Sequence, residues 1–285
     1  MLTNLQINEA YEQGRSRFRS WSKVPSQTTA SGIWFDLSMS PGNPFAQYYF
    51  ATPMKATALA RSTDGGLEHG APVAADGYRK FLHKFELQTV AATAAPLTIE
   101  MLDYLAFWPG IAMDTGVQDL TTDIEIPRWT ADEGTRLMVI EQNPYIGGAQ
   151  FRVTYEDANG VQYTTPTMVC NTQVVAGTVA TSAPATLNCP GLFVPMNSGC
   201  KGVARPVSIE FLTADVGLVA LVLVKPLAHF QINEVFAPCC YELNRDFGVL
   251  PEIKDDAYLN LIALPVGTLA GATIMGNLTT IWSPS

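Results

Sequence analysis

Alternation between apolar and polar positions recurs along most of this chain. In the segment 202–227, GVARPVSIEFLTADVGLVALVLVKPL, Val207, Ile209 and Phe211 alternate with Ser208 and Glu210. That is the period of a strand with one wet face. After a polar turn at Thr213, Ala214 and Asp215, residues 218–224 are apolar throughout, which predicts a strand covered on both sides. Together they read as a hairpin in a sandwich or barrel core, or in a subunit interface, with the chain's own second sheet the favoured cover. Further strands are expected at 33–37, 45–51, 81–90, 136–141, 150–155, 161–165, 168–175, 229–235, 258–263 and 273–282. Between two of them, Asp157-Ala158-Asn159-Gly160 suits a hairpin connection, because Asn and Gly tolerate positive φ. Many short strands punctuated by Gly and Pro predict an all-β fold, a β-sandwich or jelly roll.

Two regions depart from that grammar. In PLTIEMLDYLAFWPG, Pro96 suits a first helical turn and Glu100 the N-terminal half, while Leu97, Met101, Leu102 and Leu105 share a helical face. Pro109-Gly110 would stop the run, so a short capping helix over one end of the sandwich is expected here. Residues 1–30 read as an N-terminal arm: a short helix over 4–13 ending at Gly14, a basic cluster, then a polar stretch. The sandwich domain would span 31–285, with a possible division into two subdomains near 130–150. The Gly-rich segment 62–77 is expected to be an exposed loop, and 178–202 a second long loop.

Charged residues make up only 15% of the chain, against roughly 25% in an average globular protein. The surface is therefore finished with neutral polar residues or covered by partners, and assembly is the favoured reading. A net charge of −9 argues against direct nucleic-acid binding, which needs basic patches to displace counterions. The one basic cluster, Arg15, Arg17, Arg19 and Lys23 interleaved with Phe18 and Trp21, suits a docking arm better than a nucleic-acid contact. The N-terminus lacks the apolar core of a signal peptide, and the longest apolar run, near 216–224, is far short of the ~20 residues of a membrane helix. A protein without membrane contact, made in the cytoplasm, is expected.

Candidate chemistry is sparse. The five cysteines (Cys170, Cys189, Cys200, Cys239, Cys240) include no CxxC pair, which disfavours zinc. Cys189 and Cys200 flank a Gly/Pro loop and are the pair to consider for a disulfide, although buried free thiols are favoured. His69, beside Glu68 and near Asp64, reads as surface loop, and His83 and His229 as ordinary strand residues. Two acidic groups, Asp119, Asp123 and Glu125, and Glu252, Asp255 and Asp256, would suit paired-carboxylate glycoside chemistry. So would a groove lined by Trp34, Trp108, Trp129 or Trp282, but solvated loops and core anchoring explain both sets equally well. No nucleotide, hydrolase or metalloprotease motif is present. No catalytic, cofactor or metal residue is assigned, and the chain reads as non-enzymatic.

The strand grammar of YEDANGVQYTTPT, the GVARPVSIEFL…VGLVALVLVKPL pair and the polar N-terminal segment resemble structural proteins of tailed-bacteriophage virions, especially head decoration (cement) proteins. The resemblance is compositional and spread over most of the chain. It implies a homo-oligomer, a trimer or dimer, that contacts other virion proteins such as the major capsid protein. It also implies residence in the virion, with the host cytoplasm as the place of assembly. A tail or connector component is the alternative, and a carbohydrate-binding or hydrolytic jelly roll acting on surface glycans is the third.

Overall fold

The computed structural model describes residues 2–172, 175–183 and 186–284. Nine strands of seven residues or more build it: β1 (Ser16–Lys23), β2 (Tyr78–Thr89), β3 (Leu97–Ala112), β4 (Arg136–Asn143), β5 (Gln150–Glu156), β6 (Arg205–Phe211), β7 (Leu218–Ile232), β8 (Leu259–Pro265) and β9 (Ile274–Pro284). A central sheet runs Phe35–Asp36, β8, β3, β7, β4. A second runs Cys239–Glu242, β2, β9, β1, Gly42–Asn43, and a third Gln162–Thr164, β5, β6, Gly116–Asp119. All strand pairs are antiparallel. The all-β sandwich class with a short helix is what the chain adopts.

The long strands β3 and β7 organise the molecule, because each serves two cores. Leu97, Ile99, Met101, Phe230 and Ile232, from one end of the pair, pack with Trp21, Phe85 and Leu278 of the second sheet. Leu105, Trp108, Ile111, Val219, Leu221 and Leu223, from the other end, pack with Phe151, Val153, Ile209 and Phe211 of the third. A third cluster places Leu102, Tyr104, Phe107, Ala220 and Val222 under Tyr49, Leu59, Val179 and Leu192 of the connecting segments. The apolar run 218–224 is thus covered on both sides by its own chain. The two sandwiches share β3 and β7, so a cut near 130–150 does not divide them into subdomains.

Several expectations need correction. The segment 97–112 is a 16-residue strand and not a helix. Its apolar side chains sit at positions that satisfy both periods, and burial on both faces fills the intervening positions. The helix expected over 4–13 does form, as α1 (Asn4–Glu12), where Thr3 and Gln6 form a capping box, and its Ile7 and Ala10 pack on Ile281. The strands at 202–227 form, but β6 pairs with β5 and β7 with β3 and β4. The turn therefore carries the chain from one sheet to another and closes no hairpin. The 150–165 hairpin does form; Asp157 Oδ1 accepts the Asn159 and Val161 amides, and Gly160 takes the positive φ. The 62–77 loop is no exposed flap, since Leu67, His69 and Val73 are buried. The 178–202 segment likewise buries Val179, Ala180, Thr181 and Ser182, with residues 184–185 outside the described part. Of the strand expected at 168–175 only Met168–Val169 forms, and 173–174 lie outside the described residues.

Candidate assembly surface

The basic cluster belongs to the second sheet and not to an arm. Residues 16–23 form β1, in register with β9 along its whole length. Trp21 is buried and stacks on Phe85 with ring centroids 5.4 Å apart. Lys23 is fully buried. Arg15 donates to the Trp282 carbonyl and lies over the Tyr78 ring, and Arg17 lies over Trp282. Only Arg17, Phe18 and Arg19 of the six candidates remain exposed.

Their geometry explains the exposure. Beyond Ser22 and Lys23, where Gly42–Asn43 pairs, no described strand flanks β1 on its outer side. The carbonyl of Arg15 points to β9, where it accepts from Trp282, so those of Ser16, Phe18 and Ser20 face the open side. Each is occupied by a side chain: Ser16 by the Arg17 guanidinium at 2.8 Å, Phe18 by Arg19 at 3.1 Å, Ser20 by the Asn43 amide at 3.3 Å. Charged side chains laid over an unpaired edge block strand addition. The arginines therefore guard an edge.

A different exposed segment rests on buried polar groups. Residues 45–51, expected to be a strand, form a loop. Phe45 and Phe50 are each 84% exposed, and Tyr48, 42% exposed, lies 6.0 Å from Phe50 between ring centroids. Between them Tyr49 is fully buried, at a positive φ of 56°, a backbone conformation that costs an L-residue energy unless its surroundings hold it. The surroundings do so. The Tyr49 hydroxyl bonds Asp36 Oδ2 at 2.5 Å and Ser38 Oγ at 2.9 Å, and the Tyr104 hydroxyl donates to Asp36 Oδ1 at 2.8 Å. The Gln142 amide donates to the Tyr49 carbonyl at 3.0 Å and accepts the Gly110 amide at 2.6 Å. Lys23 spends its ammonium on the carbonyls of Ser40 (3.1 Å), Pro44 (2.9 Å) and Phe45 (3.5 Å), matching its three protons to three acceptors.

Electrostatics show what this support costs. Burial pushes the Asp36 carboxyl up, with the Tyr49, Ser38 and Tyr104 hydrogen bonds opposing. Burial lowers Lys23 to about 8, with the Asp36 charge opposing. Holding two charged groups out of water is expensive, yet the element they hold exposes its two phenylalanines. Ile146 and Val216, 72% and 59% exposed, extend the apolar character at the same end of the central sheet. Their amides both donate to Asp215 Oδ1, beside the point where Leu218 pairs with Asn143 and Ala112.

The other candidates are absorbed by the fold. His69 is buried, accepts from Lys80 at Nδ1 (3.2 Å) and donates from Nε2 to the Ala257 carbonyl; burial, then the Lys80 charge, lowers it to about 4 and keeps it neutral. His83 is buried against Tyr11, and His229 pairs with Glu100. Asp255 holds Lys80 and two amides, Asp256 caps Ser62, Glu252 pairs with Arg79 and Lys254, and Asp123 with Lys55. Trp21, Trp108 and Trp129 are buried, and Trp34 and Trp282 partly so, leaving no fully open stacking platform among them. All five cysteines are free. No group of three or more potential metal ligands occurs among the described residues, and no described helix is long and apolar enough to cross a membrane.

No protein-family model and no curated protein matches this sequence. Among solved structures, the D431N mutant VP2 protein of infectious bursal disease virus, from derived T=1 particles, aligns over 95% of this chain and 79% of that one at 8% identity. Its TM-score is 0.15, and a superposition that loose carries no argument about fold or function.

Proposed function

We propose that this protein is a non-enzymatic virion structural subunit, a capsid decoration or stabilising protein acting through contacts between subunits. The observation that carries the assembly part is the aromatic end. Phe45, Tyr48 and Phe50 stand in solvent on a loop fixed by buried Lys23, Asp36 and Tyr49. Rigidly presented aromatic side chains are the usual anchors of protein interfaces, because little conformational freedom is lost when a partner covers them. The resemblance to phage head proteins supplies the virion context.

The test is quantitative mass spectrometry of purified particles. A copy number matching the shell lattice supports decoration, and a few to a few dozen copies assign the chain to a connector or tail. Complete absence overturns the virion reading. Phe45→Ser with Phe50→Ser should leave the fold intact and reduce incorporation at least tenfold.

A further inference from the structure

Helix α1 is seated on the fold by very little. Of its nine residues only Ile7 and Ala10 are buried, and they pack with Ile281 of β9 in a cluster separate from the main cores. Open clefts flank the helix. One, of ≈ 460 Å³, is lined by residues that include Leu2, Gln6, Phe81 and Leu250. The other, of ≈ 530 Å³, is lined by residues that include Asn4, Asn8, Glu242 and Arg245. Gln6 and Asn8 stand about 200° apart around a helix, so the clefts lie on opposite flanks. A helix shorter than about 12–15 residues does not hold itself in water, and α1 therefore exists by its contacts with the sheet.

Side-chain ties supplement the apolar contact at each end. Asn244 Nδ2 donates to Asn4 Oδ1 at 2.9 Å. Near the other end the Tyr11 hydroxyl meets His83 Nδ1 at 2.6 Å, with its ring edge-on to the imidazole. His83 lies on β2 and is buried. Its Nε2 faces Glu242 Oε1 at 3.6 Å, so a neutral ring carries its proton there and accepts the Tyr11 hydroxyl at Nδ1. The separation from Glu242 is beyond hydrogen-bond reach. Burial holds His83 below its ordinary value of 6.5; the Glu242 carboxylate opposes this in part, and the Lys84 ammonium adds to it.

Independently of the assembly reading above, we infer that α1 is a strap that protonation of His83 releases from the sheet under mildly acidic conditions. An imidazolium carries a proton on Nδ1 as well, so the atom that received the Tyr11 hydroxyl becomes a donor itself. The new charge would stand in a buried site with Lys84 on its own strand, Tyr11 facing it from the helix, and Glu242 too distant to bond. Moving α1 aside lets water reach the ring. Gly14, at a positive φ of 67° and in open space, gives the chain room to turn there. The attached helix thus tolerates the imidazolium less well than the detached one. Attachment is full above 6.5 and is lost as pH falls below that value. Release uncovers Ile281 and Phe81, while the main cores, to which α1 contributes nothing, stay closed.

Amide exchange of the full chain at about pH 7.5 and about pH 5, corrected for intrinsic rates, tests the strap. Protection across residues 7–12 should fall about threefold or more on acidification, while the β2 and β9 amides stay protected. His83→Gln keeps a polar partner for Tyr11 without a titrating ring, and should abolish the pH dependence. Tyr11→Phe, at an exposed position, removes the tie from the helix side. It should lower the protection of α1 about threefold or more already at the higher pH, with an unchanged thermal melt to verify folding. Protection of α1 that stays constant or rises on acidification in the unmodified protein overturns the inference; a rise would mean that the pairing with Glu242 prevails. So does a pH dependence that persists in His83→Gln, or one that β2 and β9 share. Should His83→Gln not fold, Tyr11→Phe decides, and unaltered protection of α1 in that variant overturns the inference as well.

Discussion

The aromatic end and the basic edge of β1 are both exposed and both rich in side chains that favour contacts, but the fold treats them oppositely. Arg17 and Arg19 turn back onto the carbonyls of their own strand, so their charge is used to keep neighbours away. Phe45 and Phe50 have no such use at home, while the loop that carries them is held by buried Lys23, by the Tyr49 hydroxyl on Asp36 and by half-buried Gln142. An exposed group with an internal employment protects; an exposed group on an expensive support offers itself. Surface position alone does not distinguish them, and the hydrogen bonds underneath do.

The comparison breaks first at its support. Tyr49→Ala removes a fully buried ring together with two hydroxyl contacts, and should cost about 3–5 kcal/mol in urea unfolding. A loss below 1 kcal/mol would mean that the loop is not held as described. Next comes Glu141 on β4, a buried carboxyl that tests whether such costs are general. Its carboxyl is buried, and burial raises it to about 8, opposed in part by the nearby Val175 and Tyr145 amides and the Tyr145 side chain. A raised carboxyl keeps its proton in the fold but loses it in the unfolded chain above its ordinary value of 4.5. Stability is therefore lost as pH rises from that value through about 8. Glu141→Gln should match the unmodified protein near pH 4 and exceed it by roughly 1–3 kcal/mol at pH 8; equal stability at both pH values would refute the assignment.

Lys23→Met probes the same loop more gently. It frees the Ser40, Pro44 and Phe45 carbonyls, and amide exchange should accelerate at least tenfold across residues 42–50 while the β3 and β7 amides stay protected. Uniform acceleration throughout the protein would instead mark Lys23 as part of the global core. The smallest thermodynamic effect belongs to the edge. Arg17→Ser with Arg19→Ser should change unfolding by less than about 0.5 kcal/mol, yet raise light scattering over hours, because the outer carbonyls of β1 become available to another strand. Unchanged scattering would remove the guard role.

Much of the architecture was legible from alternation, since a strand with one wet face writes its register into the sequence, as Phe151, Val153 and Tyr155 do. What escaped was decided by distant partners. Residues 97–112 carry apolar side chains at helical and strand spacings alike, and only the flanking strands β7 and β8 resolve the choice. FAQYYFA has the composition of a strand, but its backbone is claimed by Lys23, Ser38 and Gln142, and its Tyr49 side chain by Asp36, all from elsewhere in the chain. Trp21 and Lys23, read with the arginines as one basic-aromatic cluster, point to the opposite side of β1 from Phe18. The helix at Asn4–Glu12 was legible because its capping is local. The neutrality of 42–54 was the one sequence signal that could have marked the aromatic end.

The ladder between β3 and β7 has a mechanical consequence. Thirteen residue pairs are registered along it, interrupted by three bulges, and antiparallel hydrogen bonds run perpendicular to their strands. Tension applied lengthwise between the two ends of β3 and β7 acts along those strands and loads the bonds side by side. Such a ladder must shear as a block, whereas a pull across the strands would open it one bond at a time. The long axis of β3 and β7 is thus the direction in which this pair of strands best resists being pulled apart.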